Sequence, residues 1–188
     1  MKAASPLGAT PKDHATQTGS GSARDESLAF PLPFPYPPKM PKLDLAQIPT
    51  HEGSGYPAPF ATPCAQRLRQ RLGDAGGLTD FGVNLMRLPP GAWSSQRHTH
   101  SAEDEFVYVL SGTLTLIEDE GETLLHPGDA ATFPKATGNG HHLVNRGAET
   151  ATYLEIGTRN PADHTTYPDI DLQVADDGIY KRMDGTPY

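Results

Sequence analysis

The sequence predicts an all-β domain, folded as a sandwich or a barrel of short strands. From Phe81 onward, short runs rich in β-branched and aromatic residues alternate with turns that contain Gly or Pro. No stretch of this region carries a helical period of useful length. Short strands at such regular spacing are typical of closed or two-layered all-β folds.

Seven segments have this strand character, and Gly or Pro residues mark the turns between most of them. The predicted strands are residues 81–88, 105–110, 113–118, 122–125, 130–133, 141–145 and 150–156. The predicted turns are residues 89–91, 111–112, 119–121, 127–129 and 146–147. The pattern does not repeat elsewhere in the chain, so we expect one barrel unit.

The composition changes along the chain and predicts three regions. Residues 1–39 contain seven of the 19 prolines and have no strand or helix period. Such a segment buries too little apolar surface to offset its ordering entropy, so we expect a disordered extension. It would be a tag or a stretch that precedes the natural start, with a Pro-rich docking tail as the alternative. Residues 40–160 are predicted to form the barrel, with its core at 81–157. Residues 161–188, rich in Asp and Tyr, are expected to pack on it.

The charge distribution argues against a nucleic-acid partner. Residues 1–39 carry four Lys or Arg and three Asp or Glu, whereas residues 40–188 carry 11 and 20, which gives net charges of +1 and −9. An acidic domain without a basic stripe is a poor match for a phosphate backbone. The one basic run contains Arg67, Arg69 and Arg71, which would share one face of a strand. They could form a solvated strand edge or an anionic ligand site.

Two further features bear on the location of the protein. The sequence has no apolar run of about 18 residues, so we expect no membrane partner. Cys64 is the only cysteine, which rules out a disulfide within the chain. Both features fit a cytoplasmic protein.

Three residues near the middle of the chain have a spacing that suits a metal site. His98 and His100 lie two residues apart, so on a strand both imidazoles point to the same face. Glu105 begins the next predicted strand after a short connection. Two imidazoles and a carboxylate form most of a metal-binding set.

Two blocks of the sequence together resemble the two signature motifs of the cupin family. The residues that carry the resemblance are, in the first block, Gly91, His98, His100, Glu105 and Gly112, and in the second, Gly128, Pro134, Gly138, His141 and Asn145. The chain from Met40 to Tyr188 is also similar to bacterial single-domain cupins. The resemblance implies a jelly-roll β-barrel, also called a double-stranded β-helix, and a homodimer.

The resemblance also implies one divalent metal ion, held inside the barrel by three histidines and one glutamate. His98, His100 and Glu105 match three of these ligands, and counting back from Asn145 by the family's spacing selects His141 as the fourth. His142 remains the alternative, because adjacent strand residues face opposite ways and only one of the two can enter the barrel. The second block also has two extra residues before Gly138, which shifts its register.

The ligand types leave the identity of the metal open. Imidazole and carboxylate ligands suit Fe(II), Mn(II), Ni(II), Co(II) and Zn(II) alike. Four protein ligands on an octahedral ion would leave two positions for a small-molecule substrate, water or oxygen. Gln96 and Asn145 are candidates to support the ligands through hydrogen bonds, with a plain role as turn or edge residues as the alternative.

The sequence leaves three classes of function open. The first is a metal-dependent enzyme acting on a small organic molecule, of the oxygenase or the isomerase and epimerase type. The second is a non-catalytic sensor or small-ligand binding protein. The third is an enzyme like a sugar-phosphate isomerase, for which a basic cluster facing into the barrel would be expected. The fold alone does not choose among them, because one fold hosts many chemistries.

Overall fold

The computed structural model describes residues 42–175 and 177–188. The predicted extension at residues 1–39 lies outside the described residues. Within them, almost all regular structure is β-strand, and the predicted all-β class is confirmed. No helix in the described part of the chain is both long enough and apolar enough to cross a membrane.

The described chain contains 13 strands, one short α-helix and two 3-10 turns. The strands are β1 (Thr50–Glu52), β2 (Leu68–Arg71), β3 (Phe81–Leu88), β4 (Thr99–His100), β5 (Glu105–Ser111), β6 (Leu114–Glu118), β7 (Gly121–Leu125), β8 (Ala130–Phe133), β9 (His142–Val144), β10 (Ala151–Thr158), β11 (Thr165–Tyr167), β12 (Leu172–Val174) and β13 (Tyr180–Lys181). The helix is α1 (Leu72–Ala75), and the 3-10 turns are Leu45–Gln47 and Thr62–Cys64.

One layer of the barrel is a six-stranded antiparallel sheet with the order β1-β2-β3-β10-β5-β8. Its long strands alternate between two faces, as the period of a strand requires. On β5, Val107 and Val109 are buried, whereas Tyr108 between them is 38% exposed. The alternation therefore fixes which residues face the barrel interior and which face outward.

The second layer consists of two strand groups, β7-β6-β9 and β13-β12-β11-β4. The segment that leads into β4 joins them, because it runs antiparallel to β9 and the residue before β9. Ser94 N donates to Leu143 O at 2.8 Å, and His98 and His141 exchange backbone hydrogen bonds of 3.1 and 2.9 Å. This pairing places His98 and His141 side by side across two chain segments.

The hydrophobic core lies between the two layers. It is made of residues from both layers and from the turn after β3, namely Met86, Leu88, Ala92, Val107, Val109, Leu114, Leu116, Leu125, Phe133, Leu143, Ala151 and Tyr153. These side chains fill one end of the barrel. Histidine, glutamate and arginine side chains occupy the interior toward the other end.

The basic run of β2 lies within the sheet and not at its edge, because β2 pairs with both β1 and β3. The interpretation of this run as a solvated strand edge is therefore wrong. Arg67 is used structurally, since its Nε donates to Gly53 O at 2.9 Å and its Nη1 to Ser94 O. Arg69 and Arg71 project toward the barrel interior on the face shared with Met86.

Candidate metal centre

The four predicted ligand residues come from three segments of the chain and meet inside the barrel. His98 and His100 belong to the segment around β4, and His141 immediately precedes β9 in the same layer. Glu105 is the first residue of β5 in the opposite layer. The cluster therefore exists only where the two layers face each other.

Three imidazoles surround one carboxylate oxygen of Glu105. The distances to Glu105 Oε2 are 2.8 Å from His141 Nε2, 3.5 Å from His100 Nε2 and 3.6 Å from His98 Nε2. The ligand atoms of His98, His100 and Glu105 lie within 4.8 Å of one another. His141 Nε2 donates to Glu105 Oε2, and a metal ion at this point would take the place of that proton.

The outer nitrogens of two imidazoles are held by acceptors. His98 Nδ1 lies 3.0 Å from Gln96 O, and His100 Nδ1 lies 2.6 Å from Asp163 Oδ2. Because a carbonyl and a carboxylate can only accept, Nδ1 must carry the hydrogen in both rings. The neutral rings then direct the lone pairs of Nε2 into the cluster, which is the arrangement that suits a divalent metal ion.

His141, and not His142, faces the cluster. The ring of His141 stacks on Phe133 with centroids 3.7 Å apart, and its Nε2 points at Glu105. His142 turns the other way, so its Nδ1 lies 3.0 Å from Ser95 O and its ring meets Trp93 edge to face. The two rings point in opposite directions because successive side chains of an extended segment lie on opposite faces.

Of the two roles expected for Gln96 and Asn145, the structure shows the plain structural one for both side chains. The side chain of Gln96 donates to Phe60 O at 2.7 Å, and only its backbone carbonyl contacts His98. Asn145 Nδ2 donates to Leu88 O and to Glu149 O, at 2.6 and 2.8 Å. Its buried amide thus ties together backbone segments and makes no hydrogen bond to the cluster within the described chain, so it has the plain structural role.

Burial and charge oppose each other in the cluster. Burial lowers the pKa of His98, but the hydrogen bond and charge of Glu105 outweigh it and leave that pKa above its usual range. Burial also raises the pKa of Glu105, yet the surrounding histidines hold it well below its ordinary value. In His141 burial prevails and lowers the pKa. Glu105 is therefore an ionised carboxylate at neutral pH.

A cavity of about 20 Å³ lies beside the cluster, between its residues and the buried end of the barrel. It is lined in part by Ser94, Tyr153 and Glu155. A space of this size holds about one water molecule. The hydroxyl of Tyr153 is buried and has no hydrogen-bond partner among the described residues, which fits a water or ligand at this point.

A second, larger cavity of about 230 Å³ connects Glu105 to the open end of the barrel, here called the mouth cavity. Glu155 lines both cavities, and Asn84 Nδ2 donates to its Oε1 at 2.9 Å. Burial, followed by the charge of Glu105, raises the pKa of Glu155. The lining also includes Arg69 and Arg71. A basic cluster facing into the barrel is expected for a sugar-phosphate isomerase, and these two arginines lie on that inner face.

Sequence reasoning missed Glu155 and Asp163. Glu155 carried a usable signal, because it lies two residues after the core residue Tyr153 on the same predicted strand and so on the same inner face. Asp163 carried none, since its contact with His100 depends on the pairing of β11 with β4 across more than 60 residues of chain.

Comparisons with known proteins agree with this architecture. Residues 84–157 match the family model for the cupin domain. The crystal structure of a sugar phosphate isomerase from a cupin superfamily, from Silicibacter pomeroyi, is 48% identical, with a TM-score of 0.75, over 79% of this chain and 96% of that one. A protein from Acidithiobacillus ferrooxidans, provisionally assigned as a sugar phosphate isomerase, is 36% identical over 64% of this chain and 77% of that one, with a TM-score of 0.60.

A more distant structure supports the fold alone. The polyketide cyclase from Streptomyces resistomycificus is 20% identical, with a TM-score of 0.51, over 64% of this chain and 80% of that one. A search of curated proteins found no match. Because the Silicibacter pomeroyi protein is so similar over most of both chains, and because the cupin model matches the barrel core, this chain belongs to the cupin superfamily.

Proposed function

We propose that this cupin is a metal-dependent isomerase that acts on a small hydroxylated carbonyl compound of the sugar class. His98, His100, Glu105 and His141 would hold one divalent metal ion. When bound, such an ion polarises the carbonyl and hydroxyl oxygens of the substrate and so makes the neighbouring C–H bond more acidic. The other steps of the reaction fall to side chains around the mouth cavity.

The observation that carries the proposal is the position of Glu155. An aldose–ketose isomerisation moves one hydrogen between adjacent carbon atoms and one proton between the two oxygen atoms that they carry, and it needs no oxidant or reductant. One group must take the proton from the hydroxyl-bearing carbon and return it to the former carbonyl carbon. Glu105 is committed to the cluster, whereas Glu155 is a second carboxylate in the same space, with one oxygen bonded to Asn84.

The environment of Glu155 suits proton transfer. Its pKa is raised, chiefly by burial, which brings the carboxylate closer to the strength of base that works at neutral pH. Asn84 fixes the orientation of the group. The names of the two more similar relatives, both connected with sugar phosphate isomerase activity, support the same class of reaction.

An isomerase assay in heavy water tests this proposal. The protein is loaded in turn with Mn(II), Fe(II), Co(II), Ni(II) and Zn(II) and offered aldoses, ketoses and their phosphates, and NMR follows isomer formation and deuterium uptake. We expect conversion of at least one sugar with deuterium at the carbon next to the carbonyl. Glu155→Gln should lose at least about a hundredfold in rate with its metal content unchanged.

A matched substitution and two alternative outcomes sharpen the test. Glu122→Gln changes an exposed glutamate that pairs with Arg146 outside the cavity, and it should leave the rate unchanged. Oxygen consumption by the iron form without isomerisation would identify an oxygenase instead. Tight binding of a compound without conversion in any metal form would identify a sensor or binding protein.

A further inference from the structure

Three arginines line the outer end of the mouth cavity, on the side away from the histidine cluster. Arg69 and Arg71 come from β2, and Arg159 follows β10. We propose that these arginines form a binding site for the phosphate group of a phosphate monoester. The identity of the rest of that molecule rests on the proposed function, whereas the phosphate site can be tested by itself.

Arg69 gives the strongest support for a phosphate site. Among the described residues, no carboxylate oxygen lies within 4.0 Å of its guanidinium group, and none accepts a hydrogen bond from it. The side chain is partly buried, and burial together with the charges of Arg67 and Arg71 lowers its pKa. A partly buried charge without a partner costs free energy, and an anion bound beside Arg69 would remove part of this cost.

The other two arginines are held beside it by one aspartate. Asp74 Oδ2 lies 3.7 Å from Arg71 Nη1, and Asp74 Oδ1 accepts a hydrogen bond from Arg159 Nη2. Arg159 Nη1 also donates to Leu78 O at 3.0 Å. Three guanidinium groups and one carboxylate leave a local charge of +2. A phosphate monoester carries between about −1.5 and −2 at neutral pH and so matches this charge better than a single carboxylate does.

The cavity is also shaped for a ligand that reaches the cluster. Gly82 and Gly157 pair across β3 and β10 on the inner face, so no side chain fills the space between them. A Cβ at Gly157 would lie 3.5 Å from Glu105 Cγ. β3 and β10 separate β2 from β5, which puts the arginine strand about 14 Å from the Glu105 strand. Side chains from both strands extend into this gap and line the cavity.

The acidic residues that line the cavity determine which end of the ligand lies next to the cluster. Glu103, Glu105 and Glu155 lie toward the cluster, and Asp74 is paired with arginines at the outer end. Free anions are repelled by the inner carboxylates, whereas the arginines attract them. The phosphate group is therefore bound at the outer end, and the neutral part of the molecule extends toward Glu155 and Glu105.

Isothermal titration calorimetry of the full chain with its metal tests the site. The probes are inorganic phosphate, glucose 6-phosphate and glucose, and the variants are Arg69→Gln and Arg71→Gln. We expect the parent protein to bind both phosphate compounds and to bind glucose more weakly. Each variant should bind the phosphate compounds at least about tenfold more weakly, as expected for the loss of a charge-assisted hydrogen bond, while metal content stays the same.

The controls separate this site from other phosphate contacts. Arg146→Gln makes the same change at an exposed ion pair with Glu122 and should bind phosphate like the parent. If Arg69→Gln fails to fold, Arg71→Gln decides, because that side chain is 49% exposed. The proposal is overturned if the parent binds no phosphate compound, or if the folded Arg69 and Arg71 variants bind phosphate as tightly as the parent.

The outcome for this site can be told apart from that for the proposed function. Phosphate binding that needs Arg69, without isomerisation of any sugar, would keep the site and remove the proposed reaction. Isomerisation of an unphosphorylated sugar by a protein that binds no phosphate would keep the proposed reaction and remove the phosphate site.

Discussion

Asp163 lies outside the cluster and orients one of its histidines, His100. Its Oδ2 accepts from His100 Nδ1 at 2.6 Å, and its Oδ1 accepts from Ala102 N at 2.7 Å. Burial raises the pKa of Asp163, but the hydrogen bonds from His100 and Ala102 outweigh it and lower the value overall. The carboxylate thus stays ionised and fixes both the tautomer and the orientation of the His100 ring.

We therefore expect Asp163→Ala to weaken metal binding about 10-fold to 100-fold, because the His100 ring loses its fixed orientation. Competition with a fluorescent chelator would measure the affinity. Asp177→Ala removes a carboxylate paired with Lys181 in the same C-terminal segment and should leave the affinity unchanged. Equal affinities in both variants would mean that Asp163 does not support the ligand.

Metal occupancy should fall as the pH drops below about 6, because protons compete for the imidazole lone pairs. The raised pKa of His98 means that this ring takes up its proton at a higher pH than an ordinary histidine. The pKa of Glu105 lies well below its usual range, so the loss should follow histidine and not carboxylate titration. Equilibrium dialysis across the pH range would measure it. Full occupancy at about pH 4 would contradict a histidine-dominated site.

At the scale of elements, the turn between β5 and β6 depends on one glycine. Gly112 has a φ of +74°, and a Cβ there would lie 2.7 Å from Ala151 Cα at the start of β10. The turn therefore needs both the left-handed backbone and the absence of a side chain. Gly138 shares the first requirement, with a φ of +76°, but has no atom within 4 Å of a Cβ.

This pair of glycines separates backbone strain from steric overlap. Gly138→Ala should cost about 1 to 2 kcal/mol, the penalty for a left-handed non-glycine residue. Gly112→Ala should cost about 1 to 3 kcal/mol more, because the backbone of β10 must shift. Thermal unfolding would show this as a melting temperature lower by several degrees in Gly112→Ala than in Gly138→Ala. Equal melting temperatures would mean that β10 moves without cost.

The strands that were predictable are those with β-branched or aromatic residues between turns that contain Gly or Pro. The predicted strand at 81–88 has the bounds of β3, and the predicted strand at 130–133 has those of β8. β2, β4 and the three C-terminal strands have only two to four residues each, too few for a period to be visible. They exist because distant segments pair with them, as β11 does with β4.

The residues of the histidine and glutamate cluster could be grouped from the sequence for a related reason. His98, His100 and Glu105 lie close together in sequence, and the resemblance to the cupin motif, counted back from Asn145, selects His141. The structure turns His141, and not His142, toward Glu105, and the role of His141 as fourth ligand stays a prediction. Arg159 and Asp163 lie beyond the motifs, and only the closing of the barrel brings them to the cavity and to His100.

At the scale of the whole molecule, the cluster joins the two layers of the barrel. Glu105 belongs to the six-stranded sheet, and the three histidines belong to the facing layer. An ion bound by all four residues would bind only the folded protein, because the unfolded chain does not bring these residues together. Metal binding and stability are then linked.

We expect the metal-loaded protein to melt at a higher temperature than the chelator-treated protein. A free metal concentration of about 100 times the dissociation constant stabilises by about 2.7 kcal/mol, which corresponds to a shift of about 5 to 10 °C for a chain of this size. Differential scanning calorimetry would measure it. In a Glu105→Ala variant, the shift should largely disappear. An equal melting temperature with and without metal in the parent would argue against a bridging ion.

The most direct test of the proposed metal centre is elemental analysis of the purified protein and four alanine variants. We predict about one divalent ion per chain in the parent and in His142→Ala, and a strong loss of metal in His98→Ala, His100→Ala and His141→Ala, each checked for folding by circular dichroism. Full metal content in the folded His98 and His100 variants would place the ion elsewhere and contradict the proposal. Loss in His142→Ala with retention in His141→Ala would contradict the assignment of the fourth ligand.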